Sequence, residues 1–579
     1  MSGSHSTTMA EERLFPSAQD HKGTFTTITK HDDRRLSAAV IGEGPGNVEP
    51  IGAFEVSQRK RILQIAVAVI YCLFAAGIVF GYAALKPVLI AEKVYREYCS
   101  PEEIEENVRV CYQQELRLNF MFTVAAVATN VCALLVGTIL DQFGPRVAGI
   151  IGSWLLAAGL AGFGFSKSIT FVDPYPISYL LMALGGPFIF IPSFHLANAF
   201  PRRSGLILSM LTGAFDASSI IFLVYRVLYQ HSSTGITLRT WFLSYLIIPV
   251  FIFLAQVFIM PLQSYKTAAE LTQQAAVEQN LLDHEDTFVT SSDTSSSRNA
   301  RRERRESVVS NISALLGPTP EKLSKQTSKQ QTSGVWGVMH NATLPQQLTS
   351  FWFWGIAGFT IVQMTRINYF VATIRPQYEF LLGSYDSSVR INSFFDIALP
   401  IGGLLAIPFI GVVLDSLSTF TVLTTLVTIA STIGILGLIP GSWVAAYMNI
   451  LLFCAYRPFY YTVVSDYCAK VFGVRTFGKI YGAVICMAGL FNLSQAALDA
   501  LVHRVFGGDP RPVNAALLVL AVIVGMALCA FVAREGRRAR RRLLGEEARR
   551  AGEREEERGE AMETEGLLGE ERERGYEGV

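Results

Sequence analysis

The apolar and polar positions of this chain fall into long apolar runs separated by short polar connections. Runs of membrane-spanning length lie near 62–90, 117–140, 147–166, 177–199, 204–229 and 240–262. A second series lies near 348–373, 388–413, 418–439, 442–466, 478–502 and 512–533. A hydrocarbon core of roughly 30 Å needs about 20 apolar residues in a helix, so the pattern predicts twelve transmembrane helices. One such run would fit a buried helix of a soluble protein, but twelve in succession would not. Open strands are excluded, because lipid cannot satisfy their backbone groups. The expected fold class is therefore an all-α membrane protein with two sets of six helices.

The polar segments mark the domain boundaries. Residues 1–60 read as a disordered N-terminal tail, 61–262 as the first six-helix half, and 348–533 as the second. Between them, 263–347 is rich in Ser, Thr, Gln and charge without a sustained apolar period, and is expected to be a largely disordered linker. Residues 534–579 form a Glu/Arg-rich tail, helical or coiled. Composition agrees with a membrane protein. Half of the 579 residues are hydrophobic and 17% are charged, too few charges to cover a soluble surface of this size. The net charge of +1 gives no general attraction to nucleic acid.

Basic residues fix an expected orientation. Arg59, Lys60, Arg61, Arg146, Arg202, Arg203, the Arg301–Arg305 cluster, Lys470, Arg475, Lys479 and the Arg537–Arg542 run all fall on one side, which the positive-inside rule makes cytoplasmic. The opposite side receives the acidic stretch Glu102–Glu106. Both termini are then cytoplasmic. No cleavable leader is expected, and the first span serves as its own insertion signal.

Enzyme motifs are missing. The chain has no HExxH, no GxSxG and no phosphate loop, and Gly42-x-Gly44-x-Gly46 sits in a polar tail without a preceding strand. No cofactor and no metal site are expected. The reading is a gradient-driven carrier rather than an enzyme, with the lipid bilayer and a small-molecule substrate as its partners.

The two halves resemble each other. Gly137-Thr-Ile-Leu-Asp141-Gln-Phe-Gly144-Pro-Arg146 follows span two, and Gly411-Val-Val-Leu-Asp415 follows span eight. The first copy resembles the loop signature of the major facilitator superfamily, Gly-x-x-x-Asp-x-x-Gly-Arg-Arg/Lys, with Pro145 where a base is common; the second lacks the trailing Gly and Arg. Gly137 would let helices approach, while Asp141 would pair with Arg146 and a neighbouring helix N-terminus, latching one access state. A second stretch runs from Gly186-Pro187 through His195, Asn198, Pro201 and Thr212-Gly213-Ala214-Phe215-Asp216-Ala217-Ser218-Ser219 to Tyr225-Arg226. It resembles the large-neutral-amino-acid uniporter branch (solute carrier family 43), particularly its fungal members. That resemblance implies a major facilitator fold and facilitated movement of neutral amino acids; other members of the branch handle nucleobases. It also implies that spans one, four, seven and ten line a cavity, with five and eight at the seam.

Ionisable groups inside a span are costly and tend to face a cavity or a partner. Asp216 in span five and Arg457 in span ten are the foremost candidates. Arg457 suits bidentate capture of a substrate carboxylate, and Asp216 suits either a structural ion pair with Arg457 or a substrate or proton site. Asn198, Ser218, Ser219 and Asn368 are candidate hydrogen-bonding groups, and Arg366 and Asp396 complete the set. Arg366 also fits simple snorkelling to the interface. His195 fits packing or gating better than proton relay. Pro187, Pro192, Pro400, Pro408 and Pro458 are expected to kink spans four, eight and ten. No carboxylate lies mid-span in helices one or four, which favours uniport over proton coupling. A nutrient-sensing receptor on the same fold is the alternative class.

Outside the spans, Cys99 and Cys111 share one loop on the non-cytoplasmic side and are disulfide candidates. Ser37 and Ser307 each follow an Arg by three or two residues, in Arg34-Arg35-Leu36-Ser37 and Arg304-Arg305-Glu306-Ser307, as basophilic kinases prefer. Glu563-Thr-Glu-Gly-Leu567-Leu568 is an acidic dileucine pattern that a sorting adaptor would read. With the fungal resemblance, it favours a vacuolar membrane over the plasma membrane.

Overall fold

Residues 50–106, 111–169, 171–231, 236–285, 295–316 and 335–576 are described by the computed structural model. Ten helices among them have the length and apolarity to cross a membrane. Spans one to six are Gln58–Ala91, Leu116–Phe143, Pro145–Gly164, Pro174–Ala199, Pro201–His231 and Leu238–Phe258. Spans eight, nine, eleven and twelve are Tyr385–Ser416, Thr419–Leu436, Phe477–Arg504 and Arg511–Arg542. Spans seven and ten are the equally long helices Phe351–Leu382 and Trp443–Phe472. Their polar content lowers their hydropathy: span seven carries Arg366, Arg375 and Glu379, and span ten carries Arg457, Asp466 and Lys470. The twelve helices form two sets of six. Because successive spans reverse direction, Arg146, Arg202 and Lys479 share one end, called here the basic end, while Cys99 and Cys111 lie at the other.

Helices in lipid gain little from the hydrophobic effect and associate through close packing and hydrogen bonds. The seam between the halves uses both. Along span eleven, Gly478, Gly482 and Gly489 face Gly137, Ala133 and Asn130 of span two; a Cβ on Gly478 or Gly137 would collide with the opposing backbone. Span five lies along span eight in the same way, with Gly411 against Leu206 and Gly213 against Ile407. Gly144 takes φ 83°, which turns the chain tightly between spans two and three, and Pro145 then starts span three.

Spans eight and ten continue as α-helix through Pro400, Pro408 and Pro458, and span four through Pro187; two residues after Pro192 span four turns to a 3-10 segment, Phe194–Ala199. Two further breaks fall away from these prolines. Span one stops at Ala75 and resumes as α-helix at Tyr82 after a 3-10 turn over Ile78–Gly81. Span five breaks between Ala217 and Ile220. The two breaks abut, and the Ser218 hydroxyl accepts the freed Gly77 N–H at 2.8 Å. Span one also needs glycine there: a Cβ at Gly81 would strike the Ser219 carbonyl. A broken helix survives at membrane depth because a neighbour takes up the released backbone groups.

The linker has more structure than its composition implies. Helices Ala268–Glu285 and Ser295–Leu316 pack through Ala268, Leu271, Ile312 and Leu316. These apolar residues recur at three- and four-residue spacing within Ser- and Gln-rich sequence, too sparsely to stand out but enough for one helical face. Gly337 and Met339 then donate backbone hydrogen bonds to the Lys470 and Val471 carbonyls of span ten, at 2.9 and 3.1 Å. Span twelve likewise runs on without a break, as one helix from Arg511 to Tyr576.

Candidate functional site

The Gly-x-x-x-Asp copies meet opposite halves. Asp141 accepts the backbone N–H groups of Gly478 and Lys479, both at 2.9 Å, and so caps the N-terminus of span eleven. Asp415 does the same at the start of span five, accepting Gly205 N–H at 2.8 Å and Leu206 N–H at 3.4 Å. The expected Asp141–Arg146 pair is not formed. Arg146 instead donates through Nε and Nη2 to the Met260 carbonyl, at 3.1 and 2.5 Å, pinning the end of span six. A guanidinium fork suits one carbonyl oxygen, and Asp141 is already occupied by two backbone donors.

Further cross-half contacts continue inward from the basic end. Ser209 donates to the Ile407 carbonyl at 3.1 Å, and the Thr212 and Thr462 hydroxyls bond at 2.6 Å. Phe194 stacks edge-on against Tyr481. One turn beyond Thr212, the Arg457 Nη1 stands 3.2 Å from the Asp216 Oδ1, with side chains 6% and 1% exposed. This ion pair bridges the halves at the middle of spans five and ten. Gly403 of span eight makes room for it, since a Cβ there would rest 3.3 Å from Asp216 Cβ. The Phe80 ring, within the break of span one, lies 5.8 Å from the guanidinium carbon, and Phe215 and Phe190 extend the aromatic wall. Tyr461 and Cys454 flank the cation.

The pair is incompletely satisfied. Both Asp216 carboxylate oxygens and Arg457 Nε are buried without a hydrogen bond. Two opposite charges in low dielectric attract strongly, but their desolvation is repaid only when the remaining lone pairs and protons are matched. The arrangement thus holds a separated positive and negative charge beside apolar rings, able to exchange one partner for another. It offers no nucleophile activated by a base.

The other predicted residues are dispersed. Ser218 and Ser219 serve the span-five break, donating to the Phe215 and Asp216 carbonyls at 2.6 and 2.9 Å. Asn198 lies at the basic end and donates to the Tyr265 carbonyl at 3.2 Å. His195 and Asn198 line a partly open cavity there, with Asp466, Lys470 and the linker's Trp336. Asp466 and Lys470 pair at 2.5 Å, and burial beside the same segment holds the linker's His340 below its ordinary proton affinity. Asn368 is half-buried on span seven and lines neither cavity described here. Asp396 is exposed, accepts from Asn392 at 3.1 Å, and stands within electrostatic reach of Arg226 on span five. Arg366 opens into a separate cavity inside the second half. Cys99 and Cys111 are joined as a disulfide with Cα atoms 5.6 Å apart. Ser307 is exposed on the linker helix Ser295–Leu316, while Ser37 lies outside the described residues. Leu567 and Leu568 fall on the long terminal helix.

Phe80 and Asp466 were not singled out from sequence, and Arg226 entered only as the end of a quoted stretch. Asp466–Lys470 carries a signal in its four-residue spacing, and Arg226 in being a base within a span. Phe80 carries none, because its position follows from the helix break.

These features define a membrane carrier with a charged centre between two helical halves. The chain matches the Major Facilitator Superfamily model over residues 67–494 and belongs to that family, whose members are transporters rather than enzymes. Protein FMP42 of Saccharomyces cerevisiae is 44% identical over 487 residues, covering 82% of this chain and 95% of its own. Arginine transporter 1 of Toxoplasma gondii is 24% identical over 512 residues, covering 84% and 92%. The human large neutral amino acids transporter small subunit 3 is 21% identical over 535 residues, covering 80% and 92%. Among solved structures, a double Trp mutant of XylE superposes with a TM-score of 0.52 at 14% identity, covering 82% and 94% of the two chains, a likeness of fold alone.

Proposed function

We propose that this protein carries neutral amino acids across its membrane by alternating access, as a uniporter. The observation that carries the reading is the buried Asp216–Arg457 pair between the halves. A zwitterionic amino acid brings one carboxylate and one ammonium. Entering the pair, it gives each protein charge a new partner of the right sign, so neither is stranded. Phe80, Phe215 and Phe190 then meet its apolar side chain. Since protein charges and substrate are both balanced, the cycle needs no proton. The name of the large-neutral-amino-acid relative supports this substrate class, and that of the arginine relative supports amino acids more broadly. A nucleobase offers no such charge pair, and so stands as the alternative reading.

The cross-half hydrogen bonds at Asp141, Asp415, Ser209 and Thr212 all lie between the pair and the basic end. If the basic end is cytoplasmic, as charge dictates, this is the outward- or lumen-facing arrangement. Transport would proceed by rocking of the halves about the pair while these latches exchange. We place the carrier in the vacuolar membrane ahead of the plasma membrane, on the acidic dileucine at Leu567 and Leu568.

Uptake by proteoliposomes of leucine, phenylalanine, arginine and adenine, each with and without a pH gradient, tests the substrate class and the coupling. Saturable leucine or phenylalanine uptake that ignores the gradient is expected. Adenine uptake without leucine uptake would select the alternative, and ligand binding without any flux would indicate a receptor.

A further inference from the structure

The second half contains another cation that the ion-pair mechanism does not use. Arg366 projects from the middle of span seven into a partly open cavity lined by spans seven, nine, ten and twelve. Its lining is otherwise largely apolar, including Ile367, Phe370, Ile433 and Phe453. None of the residues that line it belongs to the first half. Gly434 brings span nine close; a Cβ there would stand 2.7 Å from Arg366 Nη2.

Two buried donors of this cavity lack partners, and so does one buried acceptor, Asn449 Oδ1. Arg366 finds two acceptors, Gln363 Oε1 at 3.3 Å and the Ala430 carbonyl at 3.1 Å. Among the described residues no carboxylate forms an ion pair with it. Asp499 of span eleven, within electrostatic reach of Tyr369 on the cavity wall, pairs with His503 at 3.6 Å. Beside Arg366, Gln363 Nε2 and the Tyr456 hydroxyl are buried and unpartnered, in side chains 2% and 3% exposed. The guanidinium, the amide N–H and the phenol O–H, the last two without acceptors, make a cluster of donors. A cation held in the membrane interior without a counter-charge is costly, and donors converging on it lower that cost only when an acceptor sits among them. Asn449, whose amide donates to Tyr378 Oη at 3.0 Å, and Gln377, which accepts from Asn514 at 2.9 Å, close the cavity toward the disulfide end.

We infer that this cavity is a binding site for a small monovalent anion, a halide or a simple carboxylate, held by Arg366, Gln363 and Tyr456. Its acceptors face three donors, and its charge neutralises the guanidinium. The site is distinct from the Asp216–Arg457 centre. Tyr456 and Arg457 are adjacent on span ten, so they leave the helix about 100° apart and serve different cavities. The anion would set the shape of the second half without being the transported solute.

The test uses the purified full-length protein in lipid nanodiscs, melted in sodium methanesulfonate at constant ionic strength. Chloride or acetate replaces the methanesulfonate stepwise. A saturable rise in Tm is expected in the wild type, as for any ligand that binds only the folded state. Response to chloride alone, to acetate alone, or to both supports the site and identifies its anion. Tyr456→Phe and Gln363→Met each remove one donor while keeping the charge. Each should move the saturation midpoint upward on the order of tenfold, the usual effect of losing a hydrogen bond to a charged group. Arg366→Gln should abolish the response. No anion-dependent Tm in the wild type, or the same midpoint in Tyr456→Phe and Gln363→Met, would overturn the inference. Neither readout involves transport, so failure here leaves the carrier reading standing.

Discussion

Asp141→Ala is the most exacting perturbation of the closed basic end. The substitution removes an acceptor that takes two backbone N–H groups at 2.9 Å from the opposite half. Hydrogen bonds to a charged group contribute roughly 1.5–3 kcal/mol each, and the lower value applies where water can reach the freed groups once the halves part. Two of them amount to about 3 kcal/mol, an equilibrium shift on the order of 100-fold toward the state open at the basic end. The effect rests on a contact made in one access state only, which is why it moves the equilibrium at all. Spin labels at Phe143→Cys and Leu417→Cys, both exposed at the basic end, would report it in a background lacking the free cysteines. The Asp141→Ala protein should gain a population at longer distance, and its turnover should fall more than its substrate affinity. Asp141→Asn keeps one acceptor oxygen and should lie between. An unchanged distance distribution together with unchanged turnover, at normal expression, would refute the latch.

Three further outcomes follow from the same structure. Asp216→Asn and Arg457→Gln should each abolish transport and cost roughly 3–5 kcal/mol by stranding the other charge, while the double mutant regains folding; normal transport by both single mutants would remove the pair from the site. Thiol titration of the denatured protein should find six thiols before reduction and eight after, because Cys99 and Cys111 are joined and six cysteines are free; equal counts would exclude the bridge. Replacing Leu567 and Leu568 by Ala in a tagged protein should move it from the vacuole to the cell surface, and a mutant that stays on the vacuole would show that another signal sets its address.

Much of the architecture was legible because it is written locally. Spans appear as runs of apolar residues, and both Gly-x-x-x-Asp copies sit at a fixed spacing at a helix end. Asp216 and Arg457 stood out because ionisable residues are rare in spans, and opposite charges at like depth invite pairing. Partners of other kinds left no such trace. Asp141 meets the backbone of Gly478 and Lys479, hundreds of residues away, and a backbone N–H carries no sequence signature. Ser218 and Ser219 were read as ligands for a solute, yet they serve helix breaks set by Gly77 and Gly81, whose effect depends on which neighbour packs beside them. Asn198 was placed with the substrate by its position in span four, but the 3-10 turn at Phe194–Ala199 directs it to Tyr265 at the basic end. Arg366 was read as a substrate-site candidate or a snorkelling cation, and the structure sets it in a separate cavity of the second half, made by helix packing that periodicity alone does not reveal.

The central claim is that a substrate's two charges divide the Asp216–Arg457 pair between them. Competition against leucine uptake in proteoliposomes tests it most directly, using leucine beside two analogues of like shape. 4-Methylpentanoate keeps the carboxylate and lacks the ammonium; isoamylamine keeps the ammonium and lacks the carboxylate. Each analogue would satisfy one protein charge and strand the other, so both should compete at least tenfold more weakly than unlabelled leucine. If either single-charge analogue competes as well as leucine, the pair is not divided by the substrate and the mechanism fails.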